Sequence, residues 1–394
     1  MLDDAAPGPM TQALAPKAPG RLGREDGRAF GGGTLTTRLD EFRAWMESDH
    51  LDAAYVTRPV SIAYLTGVFV EPYERLMALV VKPDSVTLII PAIERENAER
   101  TKVEADIDSW ADGEDPYRFV HRVLHGSARV GVEKEHLTVA AAESLRERVG
   151  VREMVDVARE VRRMRRTKSQ EELDKLQRAA VITDATTEEI MGALRAGRSE
   201  LEIAVALGGS IGAAGGTLAF ETLVLSGPNS ALPHGRPSGR RLGSGDLVLL
   251  DFGAAFEGYR ADTTRVAVVG EPNARQREIH GLVLAAHDAA IGAVRAGATT
   301  GEVDSAARAV IEAAGLGDRF FHRTGHGLGL ETHEDPSLDP GSEMKLEVGM
   351  VFTVEPGIYI PGWGGVRIED DVVVEEDGCR LLTNADRSLR QVPA

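Results

Sequence analysis

The sequence predicts an α/β (α+β) protein built as two lobes, and three observations carry that reading. At 394 residues the chain exceeds what one hydrophobic core usually organises. Short β-rich runs alternate with helical patterns along most of its length. Two of those runs turn back on themselves at glycines, and each brings acidic residues near the crossing.

Residues 1–34 are rich in Pro, Gly and Ala with almost no large apolar side chains, so a disordered leader is expected there. Pattern begins at Leu35, where Leu35, Leu39, Phe42 and Met46 share one helical face. "LDAAYVT", "MALVVKP" and "VTLIIPA" read as strands, and "ENAERTKVEA" and "AAAESLRERV" as helices. The basic run "REVRRMRRTK" reads as a solvated connector joining the lobes. A boundary near residue 160 gives a first lobe over 35–160 and a second over 161–394. The second opens with Ser169 and Glu172 as a capping box before "SQEELDKLQRAA". A further long helix is marked by Ile279, Leu282, Val283, Ala286 and Ala290.

Composition narrows the function. A formal charge of −17, without a Lys/Arg run interleaved with aromatics, argues against a nucleic-acid surface. No apolar run approaches the roughly 18 residues of a membrane span, and "MLDDAAPGPM" lacks the positive start of a signal peptide. The lone Cys379, in the exposed-looking turn "EEDGCR", forms no internal disulfide, so a cytoplasmic protein is expected.

The two hairpins hold the chemistry. In "DLVLLDFGAAFEGYRADTTRVAVVG" a four-residue loop, 255–258, would set Asp251 across from Asp262. In "MVFTVEPGIYIPGWGGVRIEDDVVVEEDG" a turn at "PGWG" would set Glu355 across from Glu369. Opposed acids repel, so they either sit at exposed strand ends or converge on cations. "RTGHGLGLETHEDP" favours convergence: His326 lies between glycines, where backbone passes close to a ligand or takes positive φ, and imidazole often joins carboxylates around metals. Four carboxylates and one nitrogen suit two hard divalent cations, Mn²⁺ first, then Co²⁺, with Zn²⁺ also open.

These stretches, together with "LPHG", resemble the pita-bread metallopeptidases, a family that includes the Xaa-Pro dipeptidases, aminopeptidase P, methionine aminopeptidase and the metal-free creatinase. The resemblance covers the second lobe from about residue 165, and the first lobe looks like the creatinase-type N-terminal domain of the proline-specific branches. It implies a pita-bread catalytic domain with a curved, mainly antiparallel sheet flanked by helices. It also implies that Asp251 holds one metal, His326 and Glu355 the other, and that Asp262 and Glu369 bridge them. His234 and His333 match the substrate-side histidines, suited to donating hydrogen bonds to the scissile carbonyl. Glu355 would serve as base or proton shuttle. Arg367 would engage a substrate carboxylate or close the site with an acid, the competing reading being a salt bridge to Asp370 or Asp371. His322 and Thr264 offer support to the ligands. Phe220 stands where some relatives carry tyrosine.

The activity implied is hydrolysis of Xaa-Pro bonds in short peptides by a homodimer, with dipeptidase favoured and aminopeptidase P or a non-catalytic peptide-binding protein as alternatives. Other motifs fail on context. "HEDPS" lacks the second histidine of a zinc helix, and "GGSIGAAGG" lacks a P-loop ending and reads as flexible backbone near the cleft.

Overall fold

The computed structural model describes residues 35–394, so the expected leader lies outside the described residues. The first lobe runs α1 (Leu35–Ser48), β1 (Ala53–Val56), α2 (Pro59–Thr66), β2 (Ala78–Val81), β3 (Val86–Pro91), α3 (Arg95–Arg100), β4 (Asp106–Trp110), α4 (Tyr117–Leu124), β5 (Arg129–Val132), α5 (Val139–Ser144) and β6 (Glu153–Asp156). Its six strands form one mixed sheet in the order β4-β3-β2-β1-β5-β6. Helices cover both faces, which is why β1 reads Ala-Ala-Tyr-Val with every residue buried. Ala54 and Val56 face one core, Ala53 and Tyr55 the other.

Helix α6 (Ala158–Arg166) then leads into the second lobe. It is not the solvated connector expected from its arginines. Val161 and Met164 enter the core, while Arg165 and Lys168 are 4% and 1% exposed and both pair with Glu334. The sequence hides this because the compensating acid lies well over a hundred residues away along the chain. The apolar cluster begun by Leu39 and Phe42 continues through Val161 to Leu176, Tyr259, Val351 and Val373, so the two lobes share a core.

The second lobe repeats one device: a helix pair followed by a mostly antiparallel sheet. First come α7 (Gln170–Ala193), α8 (Glu200–Ala213), β7 (Thr217–Leu218), β8 (Leu223–Ser226), β9 (Leu247–Phe252), β10 (Ala254–Phe256), β11 (Tyr259–Arg260) and β12 (Thr263–Val269). The second pass is α9 (Ala274–Ala293), α10 (Thr300–Ala313), β13 (His326–Gly327), β14 (Glu334–Ser337), β15 (Val351–Val354), β16 (Gly357–Ile360), β17 (Gly364–Arg367), β18 (Asp370–Glu375), β19 (Gly378–Leu381) and, returning to the first sheet, β20 (Arg390–Val392). The sheets are ordered β20-β12-β9-β8 and β14-β13-β15-β18-β19. The expected capping box at Ser169 and Glu172 is present. Matching boxes open α8 at Ser199 with Glu202 and α10 at Thr299 with Glu302.

Three local expectations change. "GGSIGAAGG" starts inside α8, because Ile203, Leu207 and Ile211 recur every four residues and bury one face, and that packing outweighs the low helix propensity of its glycines. Cys379 lies half-buried on β19, beside Ile291, not in an exposed turn. The first acidic hairpin has a two-residue turn at Glu257 and Gly258, with φ of 47° and 84°, closing on the Phe256–Tyr259 pair. That register places Asp251 opposite Thr264, not Asp262, which lies diagonally on the same face. The second hairpin keeps its expected register: Val354 pairs with Asp370 and Gly357 with Arg367, which aligns Glu355 with Glu369 between them.

Candidate metal and catalytic site

The ends of β9, β13 and β15 and the starts of β12 and β18 meet at a cleft of about 1060 Å³, and Asp251, Asp262, His326, Glu355 and Glu369 all line it. Glycines make this convergence sterically feasible. A side chain at Gly325 would collide with the backbone carbonyl of Thr353, and one at Gly327 with the backbone of Asp335. Close approach of strands, rather than positive φ, is therefore what "GHGLG" supplies.

Asp262, His326 and Glu369 are buried, and their ligating atoms lie within 4.8 Å of one another. Glu355 Oε1 is 3.4 Å from His326 Nε2, and Asp262 Oδ2 is 3.9 Å from the same nitrogen. His326 Nδ1 lies 3.2 Å from the Gly327 carbonyl, to which it donates as the neutral tautomer. Its Nε2 lone pair consequently faces carboxylates. Burial, with His333 second, drives the imidazole down to about 3, so it meets those acids uncharged.

The acids are equally short of partners. Asp262 Oδ1 and Glu369 Oε1 are shielded from solvent without a hydrogen bond. Burial first, then the charge of Glu369, pushes Asp262 well above the ordinary carboxylate range. Burial and Glu355 do the same to Glu369, and burial lifts Glu355 to about 7. A cluster of acceptors facing acceptors fits a divalent cation, which supplies the missing positive charge and accepts every lone pair. Asp251 differs. Its carboxylate is already paired with Arg367, and burial raises it less decisively because that guanidinium opposes the shift.

Around this centre the supporting groups form a connected set. Thr264 Oγ1 donates to Glu369 Oε2 at 2.6 Å and accepts from Arg367 Nε at 2.9 Å. Arg367, 4% exposed, also donates to Tyr359 Oη at 2.7 Å, and pairs with neither Asp370 nor Asp371 among the described residues. His322 Nδ1 lies 2.7 Å from the Arg323 carbonyl, leaving Nε2 to accept from Tyr359 Oη at 3.0 Å. Burial takes His322 down to about 4. His333 stacks edge-on against His326, ring centroids 4.2 Å apart, with its far edge exposed to the cleft. His234 is exposed and lines the same cleft, as does Phe220.

Two participants escaped the sequence reading. Tyr359 ties Arg367 to His322, and its signal was available: Glu355, Gly357 and Tyr359 alternate onto one face, and Gly357 pairs with Arg367. Glu334, locked between Arg165 and Lys168, anchors the loop that carries His333, and no local pattern announces it.

A two-lobed α/β protein with a buried, cation-deficient carboxylate and imidazole cluster defines the class of a metal-dependent hydrolytic fold. Residues 174–376 match metallopeptidase family M24, and residues 38–167 match the creatinase/prolidase N-terminal domain; the chain belongs to this family. A protein named Xaa-Pro dipeptidase from Lactobacillus helveticus is 38% identical over 90% of this chain and 99% of its own. A solved Xaa-Pro dipeptidase from Bacillus anthracis superposes with a TM-score of 0.85 at 33% identity, covering 91% of this chain and all of that one. An X-Pro aminopeptidase from Thermotoga maritima gives 0.84 at 32% identity, covering 90% and 99%. The family implies divalent metal ions, and Asp262, His326 and Glu369 fit that requirement. No described helix is long and apolar enough to cross a membrane.

Proposed function

We propose that this protein hydrolyses the Xaa-Pro bond of short peptides, as an Xaa-Pro dipeptidase, using two divalent cations of which Mn²⁺ is the first choice, ahead of Co²⁺ and Zn²⁺. Asp251, Asp262, His326, Glu355 and Glu369 would hold them. The observation that carries this reading is the neutral Nε2 of His326 facing Glu355 and Asp262 while buried oxygens of Asp262 and Glu369 lack any donor. Bound cations would act there as Lewis acids toward the substrate carbonyl and its attacking water.

The chain's own groups would do the rest. Glu355, lining the cleft with Oε1 3.4 Å from His326 Nε2, is placed to take a proton from the nucleophile and pass it to the leaving proline nitrogen. His333 and His234 both line the cleft and would donate to the carbonyl oxygen as charge develops on it. Arg367 would hold Asp251 and, through Thr264, Glu369 in place. Proline lacks an N–H, so a dedicated pocket must replace extended-strand recognition. The reading also takes residues 35–160 as a lobe that limits access, a homodimer as the working form and the cytoplasm as the compartment.

The similarity to the Thermotoga X-Pro aminopeptidase favours a second reading, removal of an N-terminal residue from longer peptides. Protein supplied with Mn²⁺ should cleave Ala-Pro at least about tenfold faster than Ala-Pro-Ala, a difference of about 1.4 kcal/mol, and lose both activities to chelator. The reverse preference would select the aminopeptidase reading. No cleavage with Mn²⁺, Co²⁺ or Zn²⁺ would leave only a peptide-binding protein.

A further inference from the structure

Between β8 and β9 none of residues 231–241 is buried, and His234 sits among them on the lining of the cleft. Apolar packing therefore does little to fix this loop. A single carboxylate does more. Glu200, wholly buried at the start of α8, accepts through Oε1 from Ser226 N and Ser226 Oγ, each at 2.7 Å, and from Asn229 Nδ2 at 3.3 Å. Through Oε2 it accepts from Ser238 N at 3.0 Å and Ser238 Oγ at 2.6 Å. Ser226 and Ser238 bracket the loop, so one side chain ties its beginning to its end.

The helix itself does not need this carboxylate. Ser199 and Glu202 already form the capping box of α8, and the amides of Glu200 and Leu201 donate to the carbonyls of Arg240 and Ser238. The backbone at the helix end thus grips the trailing side of the loop, which leaves the Glu200 side chain to draw in the leading side. Arg240 does not compete for it, because Asp246 takes both of its terminal nitrogens, at 2.6 and 2.9 Å. The corresponding helix of the second pass works alike: Asp304 on α10 accepts from Thr324 Oγ1 at 2.7 Å, just ahead of His326.

We propose that Glu200 is the positioning residue for His234: its carboxylate closes the loop and fixes the place from which that histidine donates to the scissile carbonyl. A donor moved by about 1 Å loses on the order of 100-fold in rate, so a clasp remote from the chemistry can govern it. This rests on the hydrolytic reading above, and the test keeps the two apart.

Glu200→Gln keeps the size of the side chain but turns an amide NH₂ toward donors at one end of the loop. In the full chain with Mn²⁺ it should lower kcat on Ala-Pro about 10–100-fold and change KM less than about threefold, with the metal stoichiometry of the parent. Ser238→Ala removes one donor from the set and should lower kcat about threefold to tenfold, which keeps the test open if Glu200→Gln does not fold. The deciding measurement is a cycle with His234→Ala, itself expected to lower kcat about 100-fold. In that background neither substitution should take away more than about twofold further. The same loss in both backgrounds would mean a role in folding alone and would overturn the assignment. Amide hydrogen exchange needs no turnover: residues 226–238 should exchange at least about tenfold faster in Glu200→Gln while β9 and β12 keep the parent's rates. A parent that cleaves no Xaa-Pro substrate would remove the hydrolytic reading, and the clasp would then stand or fall on exchange alone, faster exchange confined to the loop keeping it and unchanged exchange ending it.

Discussion

On one side of the strand end at β18, Asp370 is met by Arg265 and Arg387, with His287 Nε2 3.0 Å away. On the other side its chain neighbour Glu369 meets one threonine hydroxyl and a second oxygen meets nothing. Both are almost wholly shielded from solvent, at 0% and 1% exposure. Burial alone would raise both, yet Arg265, His287 and Arg387 hold Asp370 below the ordinary range while Glu369 goes well above it. A buried carboxylate with internal cations is architecture. One without them calls for charge supplied by a bound cation.

The largest test of that contrast is Asp262→Asn. It should abolish metal loading and lower Ala-Pro hydrolysis by at least ~10³-fold, while raising the melting temperature of the metal-free protein by removing an acid whose ionisation burial makes costly. Elemental analysis and a melt in chelator check both halves; a melting temperature that falls would mean Asp262 has a partner the contrast denies. Next, Asp370→Ala should cost about 3–5 kcal/mol of unfolding free energy by stranding buried Arg265, measured by urea titration, with metal stoichiometry kept in whatever remains folded. An unchanged midpoint would break the comparison from the other side.

The metal-free protein should also show the contrast through pH. Asp262, Glu355 and Glu369 are raised in the folded state, which therefore holds more protons than the unfolded one. Stability is full below the ordinary carboxylate range and is lost as pH rises through about 7, the value reached by Glu355. Melts in chelator from pH 5 to pH 8 should fall with pH, and saturating Mn²⁺ should flatten the slope; a chelated protein that gains stability over this span would contradict the raised acids. The smallest effect belongs to Thr264→Val, which removes the hydroxyl between Glu369 and Arg367. Metal affinity by competition titration should weaken about 10–100-fold, and a variant that binds as tightly as the parent would assign Glu369's placement to Arg265 instead.

The acid pairs and the glycine-bounded histidine were legible because hairpin turns and close backbone approaches leave marks on neighbouring residues. Glu355 and Glu369 could be aligned because "PGWG" names its turn. Asp251 and Asp262 were set two residues out of register because Glu257 takes positive φ, which non-glycine residues rarely do, so a tight turn looked like a wider loop. The acids that pair with Arg165, Glu331 and Glu334, lie more than a hundred residues away along the chain. That is why Arg165 read as solvated.

Each half of the second lobe owns only part of the cluster: Asp251 and Asp262 come from the first helix-and-sheet repeat, His326, Glu355 and Glu369 from the second. Their sheets touch there through the isolated backbone bridge from Thr264 to Glu369. Ions seated in the cluster would act as rivets across that joint, so the metal supply would govern how firmly the halves grip one another as well as whether peptides are cut.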